Sequence, residues 1–167
     1  MQGNTLVYGL AGALAIALLV AAFTDLRRRQ IDNWLTAGIA LAAPLFWWAL
    51  WLAGQFQPWP DIAWQVGVAV LVFVSLAGLF ALKLMGGGDV KLLTALALWL
   101  PGLPFLKLLV VMALVGGVLT IVFGMWHIAR RQKDQVKIPY GIAIASAGVW
   151  VIFTTYSPQL LFTGQLG

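Results

Sequence analysis

The sequence predicts an all-α membrane protein, a bundle of about six transmembrane helices, and three observations carry that reading. Of 167 residues, 62% are hydrophobic and only 9% charged, whereas about a quarter are charged in an ordinary soluble domain. Uncharged runs recur at lengths near the roughly 20 residues needed to cross a hydrocarbon core. The basic residues fall in the short breaks between those runs instead of forming a face. So little chain remains outside the runs that residues 1–167 read as a single transmembrane domain.

The first run reaches Thr24. It lacks a basic leading segment and a small-residue cleavage site, so it reads as a retained helix and not a signal peptide. The second runs from Trp34 to about Leu52 and contains Pro44, which removes a helical donor and predicts a kink. Gly54 to Pro60 reads as a loop, and Ile62 to Leu82 as the third helix. Leu92 to Leu100 is too short to span unless it extends back through Gly86 to Asp89, and Pro101, Gly102 and Pro104 end it. Leu108 to Trp126 and Ile138 to Tyr156 complete the six.

Arg27, Arg28, Arg29, Lys83, Lys91, Arg130, Arg131, Lys133 and Lys137 lie in alternate connections, and Lys107 alone falls on the other side. The positive-inside rule makes those connections cytoplasmic and places both termini on the non-cytoplasmic side. Trp34, Trp59, Trp64, Trp99 and Trp126 sit near the ends of runs, where indole rings anchor at the membrane interface. The absence of cysteine rules out disulfides, thiolate metal ligands and a cysteine nucleophile. The net charge of +5 is explained by topology, and no basic face offers the phosphate contacts of a nucleic-acid binder.

All five acidic residues are aspartates, and two of them, Asp25 and Asp89, abut apolar runs on the same expected side. Ionisable groups at such positions are costly to bury and commonly mark function. Each also has a plain structural reading. Asp25 could be a solvated carboxylate beside Arg27 to Arg29, and Asp89 could cap a helix that begins at Gly86, Gly87 and Gly88. Taken together, two carboxylates at one depth on different helices are able to share a proton. One then serves as base and the other as acid, activating water for peptide hydrolysis without metal, cofactor or nucleophilic side chain. The glycines would permit a sharp turn and the close approach of an extended peptide. Lys91, two residues beyond Asp89, reads as a topology determinant or a loop contact. Ile138-Pro139-Tyr140-Gly141, at the entrance of the sixth run, reads as structural, and His127 as an interfacial residue.

With these residues placed, the chain resembles the type IV prepilin peptidases, which are GxGD-type intramembrane aspartic proteases. That family carries its first catalytic aspartate in a D-x5-I-P-N pattern, and here Asp25 is followed by five residues and then Ile31-Asp32-Asn33. Its second lies in GxGD-x-K, matched by Gly86-Gly87-Gly88-Asp89-Val90-Lys91, and its late hydrophobic-Pro-Tyr/Phe-Gly segment is matched by Ile138 to Gly141. Asp32 stands where the family has proline, which puts the local loop geometry in question. Asp32 and Asp134 are also candidates to contact a basic leader.

The resemblance implies a multi-pass peptidase of the inner (cytoplasmic) membrane that needs no metal or cofactor. It would cut the short basic leader from a prepilin or pseudopilin after a glycine, at the cytoplasmic face, with Asp25 and Asp89 as the catalytic pair. The substrate's apolar helix would dock in lipid beside the enzyme. Gly86, Gly88, Lys91, Ile31, Asp32, Asn33, Pro139, Tyr140 and Gly141 would form the surrounding substrate-binding or structural motifs. The interval from Asp25 to Trp34 has no room for the methyltransferase domain of bifunctional members. The chain is therefore expected to resemble the short peptidases of Flp-type tight-adherence pili, or preflagellin peptidases, without methyltransferase activity. Two other readings stay open: another GxGD protease of the signal-peptide-peptidase type, which usually carries a PAL segment absent here, and a proton-coupled transporter or pilus assembly factor.

Overall fold

A computed structural model describes residues 2–100, 102–129 and 140–163, and every described element is helical. The six helices are α1 (Gln2–Arg28), α2 (Asn33–Leu52), α3 (Pro58–Ala81), α4 (Gly87–Ala97), α5 (Leu103–Ala129) and α6 (Tyr140–Thr163). Segments of α1, α2, α3 and α5 are long and apolar enough to cross a membrane, which makes the chain a multi-pass membrane protein. The expected order of helices holds. The first runs on through Asp25 to Arg28. The third starts earlier than expected, because Pro58 and Pro60 occupy its first turn, where a missing N–H costs nothing.

Lipid and bundle interior are both apolar, so helix faces are told apart by packing. In α1 the buried positions are Gly3, Val7, Ala11, Leu14, Leu18, Ala21 and Asp25, a stripe at spacings of four and three. Asp25 therefore continues the inward face of α1. That face meets α6 in an antiparallel crossing tight enough to require glycine. A Cβ on Gly148 would come within 2.6 Å of the Leu18 side chain, and one on Gly141 within 2.7 Å of the Asp25 carboxylate. At the opposite end of α1, a Cβ on Gly3 would lie 2.6 Å from the Ala53 backbone nitrogen, so α2 returns beside the start of α1.

The α1–α2 and α3–α4 connections gather at one end of the bundle with Asp25 and Asp89, and α6 begins there. Arg27, Arg28, Arg29, Lys83 and Lys91 share that end. Sharp reversals there occur at Arg29 (φ 53°) and Lys83 (φ 59°), both in the left-handed region, and not in the glycine run. Lys83 closes α3 in a Schellman arrangement, with Lys83 N–H donating to Phe80 O (2.9 Å) and Leu84 N–H to Leu79 O (3.0 Å).

α4 is the exception among the helices. Its 11 residues rise about 16 Å, roughly half of a hydrocarbon core, and it is the most deeply enclosed, with Leu92, Leu93, Leu96 and Ala97 at 0% exposure. A helix ending inside an apolar bundle leaves carbonyls that need donors. The Leu98 carbonyl receives two, from Trp47 Nε1 at 2.8 Å and Gln65 Nε2 at 2.5 Å. Trp99 corrects the interfacial reading given to it. It is 3% exposed, stacks on Phe46 at 4.7 Å and donates from Nε1 to the Ile39 carbonyl at 2.8 Å. Trp34, Trp59, Trp64 and Trp126 are exposed, as interface anchors should be. Pro44 lies within α2 and deprives the Ala40 carbonyl of its usual helical donor.

Candidate active site

The last turn of α1 and the first turn of α4 bring Asp25 and Asp89 to the same cavity, about 440 Å³ in volume and lined also by Arg29, Ile31, Asn33 and the three glycines. Both carboxylates are buried, at 8% and 9% exposure. The reading of Asp25 as a solvated helix-end carboxylate is therefore set aside.

Each carboxylate sits on the N-terminus of a helix. Gly141, in the first turn of α6, donates its backbone N–H to Asp25 Oδ2 at 2.8 Å. That donor is one of the first four N–H groups of the helix, which have no internal partner, and the positive end of the helix dipole faces the carboxylate. Asp89 does not occupy the N-cap position of α4. Gly86 is the N-cap, and Asp89, three residues on, reaches back to accept the Gly86 N–H. This is the return half of a capping box. Burial, and after it the Asp25 charge, push the Asp89 carboxyl up to about 6 against the opposing pull of that Gly86 bond.

The glycine run is held by packing. None of its residues has a positive φ, but each is crowded. A Cβ on Gly86 would meet Asp89 Oδ2 at 3.0 Å, one on Gly87 the Phe80 ring at 3.2 Å, and one on Gly88 the Ile31 Cβ at 3.3 Å. Glycine thus lets the start of α4 press against both α3 and the α1–α2 connection, which carries Asp89 into the cavity.

Ile31 and Asn33 line the cavity, and Asn33 is tied to α4 by a 2.9 Å hydrogen bond from Lys91 Nζ to its Oδ1. Lys91 therefore links α4 to α2. Asp32 is the N-cap of α2, with φ −64° and ψ 131°, and makes no side-chain capping bond. That φ is one a proline ring would impose, so the loop geometry questioned at Asp32 is the geometry proline would adopt. Tyr140 is not beside the carboxylates. Its ring packs on Gly116, and its hydroxyl lies 3.4 Å from Thr120 Oγ1, which joins α6 to α5. Pro139, Ile138 and Asp134, and the side chain of His127, lie outside the described residues. Among the described residues no group of three or more metal-ligating side chains occurs.

Sequence reasoning overlooked Gln65 and the bond from the Gly141 amide to Asp25. Gln65 left a signal, as an amide at 1% exposure within a long apolar run. Gly141 left only a motif, since its partner is 116 positions away.

Comparison with known proteins identifies the family of the chain. The model of the type IV leader peptidase family matches residues 12–125, a stretch that contains both aspartates and the glycine run. A prepilin leader peptidase/N-methyltransferase of Aeromonas salmonicida strain A449 is 35% identical over 147 residues, covering 84% of this chain and 48% of that protein. One of Xanthomonas campestris pv. campestris is 32% identical over 153 residues, covering 85% of this chain and 49% of its own length. The chain thus spans about half the length of these relatives. No solved structure gives a significant match. The match over most of the chain establishes that it belongs to the type IV leader peptidase family.

Proposed function

We propose that the chain is an intramembrane aspartic endopeptidase that removes the leader from type IV prepilins or pseudopilins, using Asp25 and Asp89 to activate water. The observation that carries the proposal is the pair of buried carboxylates lining one cavity, each held by a backbone N–H at a helix N-terminus. Two buried carboxylates lining one cavity cannot both ionise cheaply, so the pair holds one proton, which Asp89 delivers to the scissile carbonyl oxygen. Asp25 serves as the base that takes a proton from water. As the C–N bond of the tetrahedral diol breaks, Asp25 passes the proton it took from water to the leaving amine and one diol hydroxyl gives its proton to Asp89, so the pair ends singly protonated as it began. The pair titrates as one unit, and these roles describe its productive proton arrangement.

Family membership supports a prepilin substrate, and the relatives' printed names supply leader cleavage. The basic residues grouped at the aspartate end support a cytoplasmic site in the inner membrane, with both termini facing away from it. The Flp-type assignment rests on the short interval between Asp25 and α2. The proposal is confined to leader cleavage and does not extend to methyl transfer.

The test is co-expression with a type IV prepilin, reading precursor and mature bands by gel. Asp25→Asn and Asp89→Asn should each abolish processing at unchanged enzyme abundance in the membrane. Wild-type processing by either variant would remove the dyad from the mechanism.

A further inference from the structure

A second cavity, about 500 Å³, opens beside the first between α2, α3 and α4. Its two long walls are stripes of identical spacing, Asn33, Thr36, Ala37 and Ala40 on α2 against Lys91, Thr94 and Ala95 on α4 and its C-cap Leu98, with Phe73 of α3 facing them. Spacings of three, one and three keep each stripe on one face over two turns, about 10 Å of rise. Most of these side chains are alanine or threonine, the small residues that let a second backbone come close within a membrane.

Both ends of this groove are defined. The upper end stops at Leu98, whose carbonyl is held by Trp47 and Gln65. The lower end is Asn33, which also lines the carboxylate cavity, so the apolar groove runs into the site. The junction carries the Lys91–Asn33 hydrogen bond.

We propose that this groove receives the apolar helix that follows the scissile bond of the substrate, and that Asn33 and Lys91 mark the level at which that helix gives way to extended peptide. The inference rests on the leader-cleavage reading. A helical peptide has its carbonyls occupied and must unwind to be cut, and each backbone group freed in apolar surroundings is costly unless it finds a partner. The Lys91 ammonium has three donors, one of them on Asn33, and the Asn33 amide has two. They stand where the unwound turn would need them. The helix beyond would lie along Thr36, Ala37 and Ala40, rising away from the carboxylates.

The chain contains no cysteine, so pairs of introduced cysteines report proximity without background. Ala37→Cys and Ala40→Cys are each combined with a cysteine scan along the apolar helix of a co-expressed type IV prepilin. Leu19→Cys on α1 and Phe153→Cys on α6, at 59% and 68% exposure on other faces, serve as controls. Disulfides form only across Cα separations under about 7 Å, so oxidation should couple the groove positions to the substrate at every third or fourth residue and leave the controls uncoupled. The scanned helix remains in the mature product, and coupling is read whether or not cleavage has occurred. Equal coupling at the controls, or none in the groove while the control variants process the prepilin, overturns the groove and leaves the peptidase reading intact. Failure of the control variants to process the prepilin overturns both. Ala40→Trp, which fills the groove, should slow processing by about ten-fold or more, and a wild-type rate in that variant also refutes the assignment.

Discussion

Adding a single methyl group at Gly141 is the sharpest available test of how the site is positioned. In Gly141→Ala the new Cβ would lie 2.7 Å from Asp25 Oδ2, 2.8 Å from Asp25 Cβ and 2.9 Å from Asp25 Cγ. Turning the carboxylate relieves the first contact but not the second, because Asp25 Cβ is fixed by the α1 backbone. To regain an ordinary 3.4 Å contact, the helices must separate by about 0.6 Å. That separation stretches the Gly141 N–H bond to Oδ2 beyond its 2.8 Å and shifts Asp25 within the cavity it shares with Asp89. Overpacking of this kind costs about 1–3 kcal/mol, and weakening a hydrogen bond to a charged group about 1.5–3 kcal/mol. A catalytic group misplaced by about 1 Å loses on the order of 100-fold, so prepilin processing should fall by about 10- to 100-fold with the protein still inserted. Gly148→Ala provides the comparison. Its short contact is with the Leu18 Cδ1 tip, at 2.6 Å, which can swing aside, so its effect on processing should be several-fold smaller. The assay is the rate of precursor conversion in isolated membranes, normalised to enzyme level. Processing by Gly141→Ala within two-fold of wild type would show that the α6 amide does not position Asp25.

Two further outcomes follow from the site. With the Asp89 carboxyl at about 6, the proton needed by the acid is present below that value and lost above it. Processing measured in detergent should therefore decline with a unit slope as pH rises through about 6, and a flat rate from pH 5 to 8 would contradict the assigned roles. Asp32→Pro should leave processing within two-fold and raise the melting temperature by up to a few degrees, since a compatible proline adds about 0.4–1 kcal/mol. The native φ is −64°, and the Asp32 N–H donates no hydrogen bond among the described residues. A ten-fold loss of processing would instead show that the Asp32 carboxylate takes part in the reaction.

Hydropathy was enough to find the helices, because each apolar run is long relative to its breaks. It could not orient them. Where lipid and interior are equally apolar, Leu18 at 0% exposure and Leu19 at 59% look alike in the sequence. Asp25 broke that symmetry, and being costly to expose to lipid it marked the inward face of α1. The candidate dyad was legible because aspartates are so few here. The cradle around it was less so, since it is made of backbone N–H groups, which every residue but proline possesses. The glycine run was visible, but its part in helix packing was not. Those residues serve close packing against Ile31 and Phe80, a reason that exists only once α1, α3 and α4 are brought together. Trp99 misled for a similar cause, because an indole near the end of a run is equally suited to an interface or to a buried carbonyl.

The half-length of α4 bears on how such a protein is made. Segments of about 20 apolar residues are inserted on their own hydrophobicity, and an 11-residue helix carrying an aspartate and a lysine falls well short of that. α3 and α5 can enter the bilayer as they emerge, but α4 gains its place only by docking between helices already there, with Trp47 and Gln65 satisfying its upper end. Asp89 therefore reaches its position late in biogenesis, after α2 and α3 have been inserted. The nascent chain would then carry the two carboxylates through the membrane's insertion machinery apart from one another, and the proposed centre would form only on completion of the bundle.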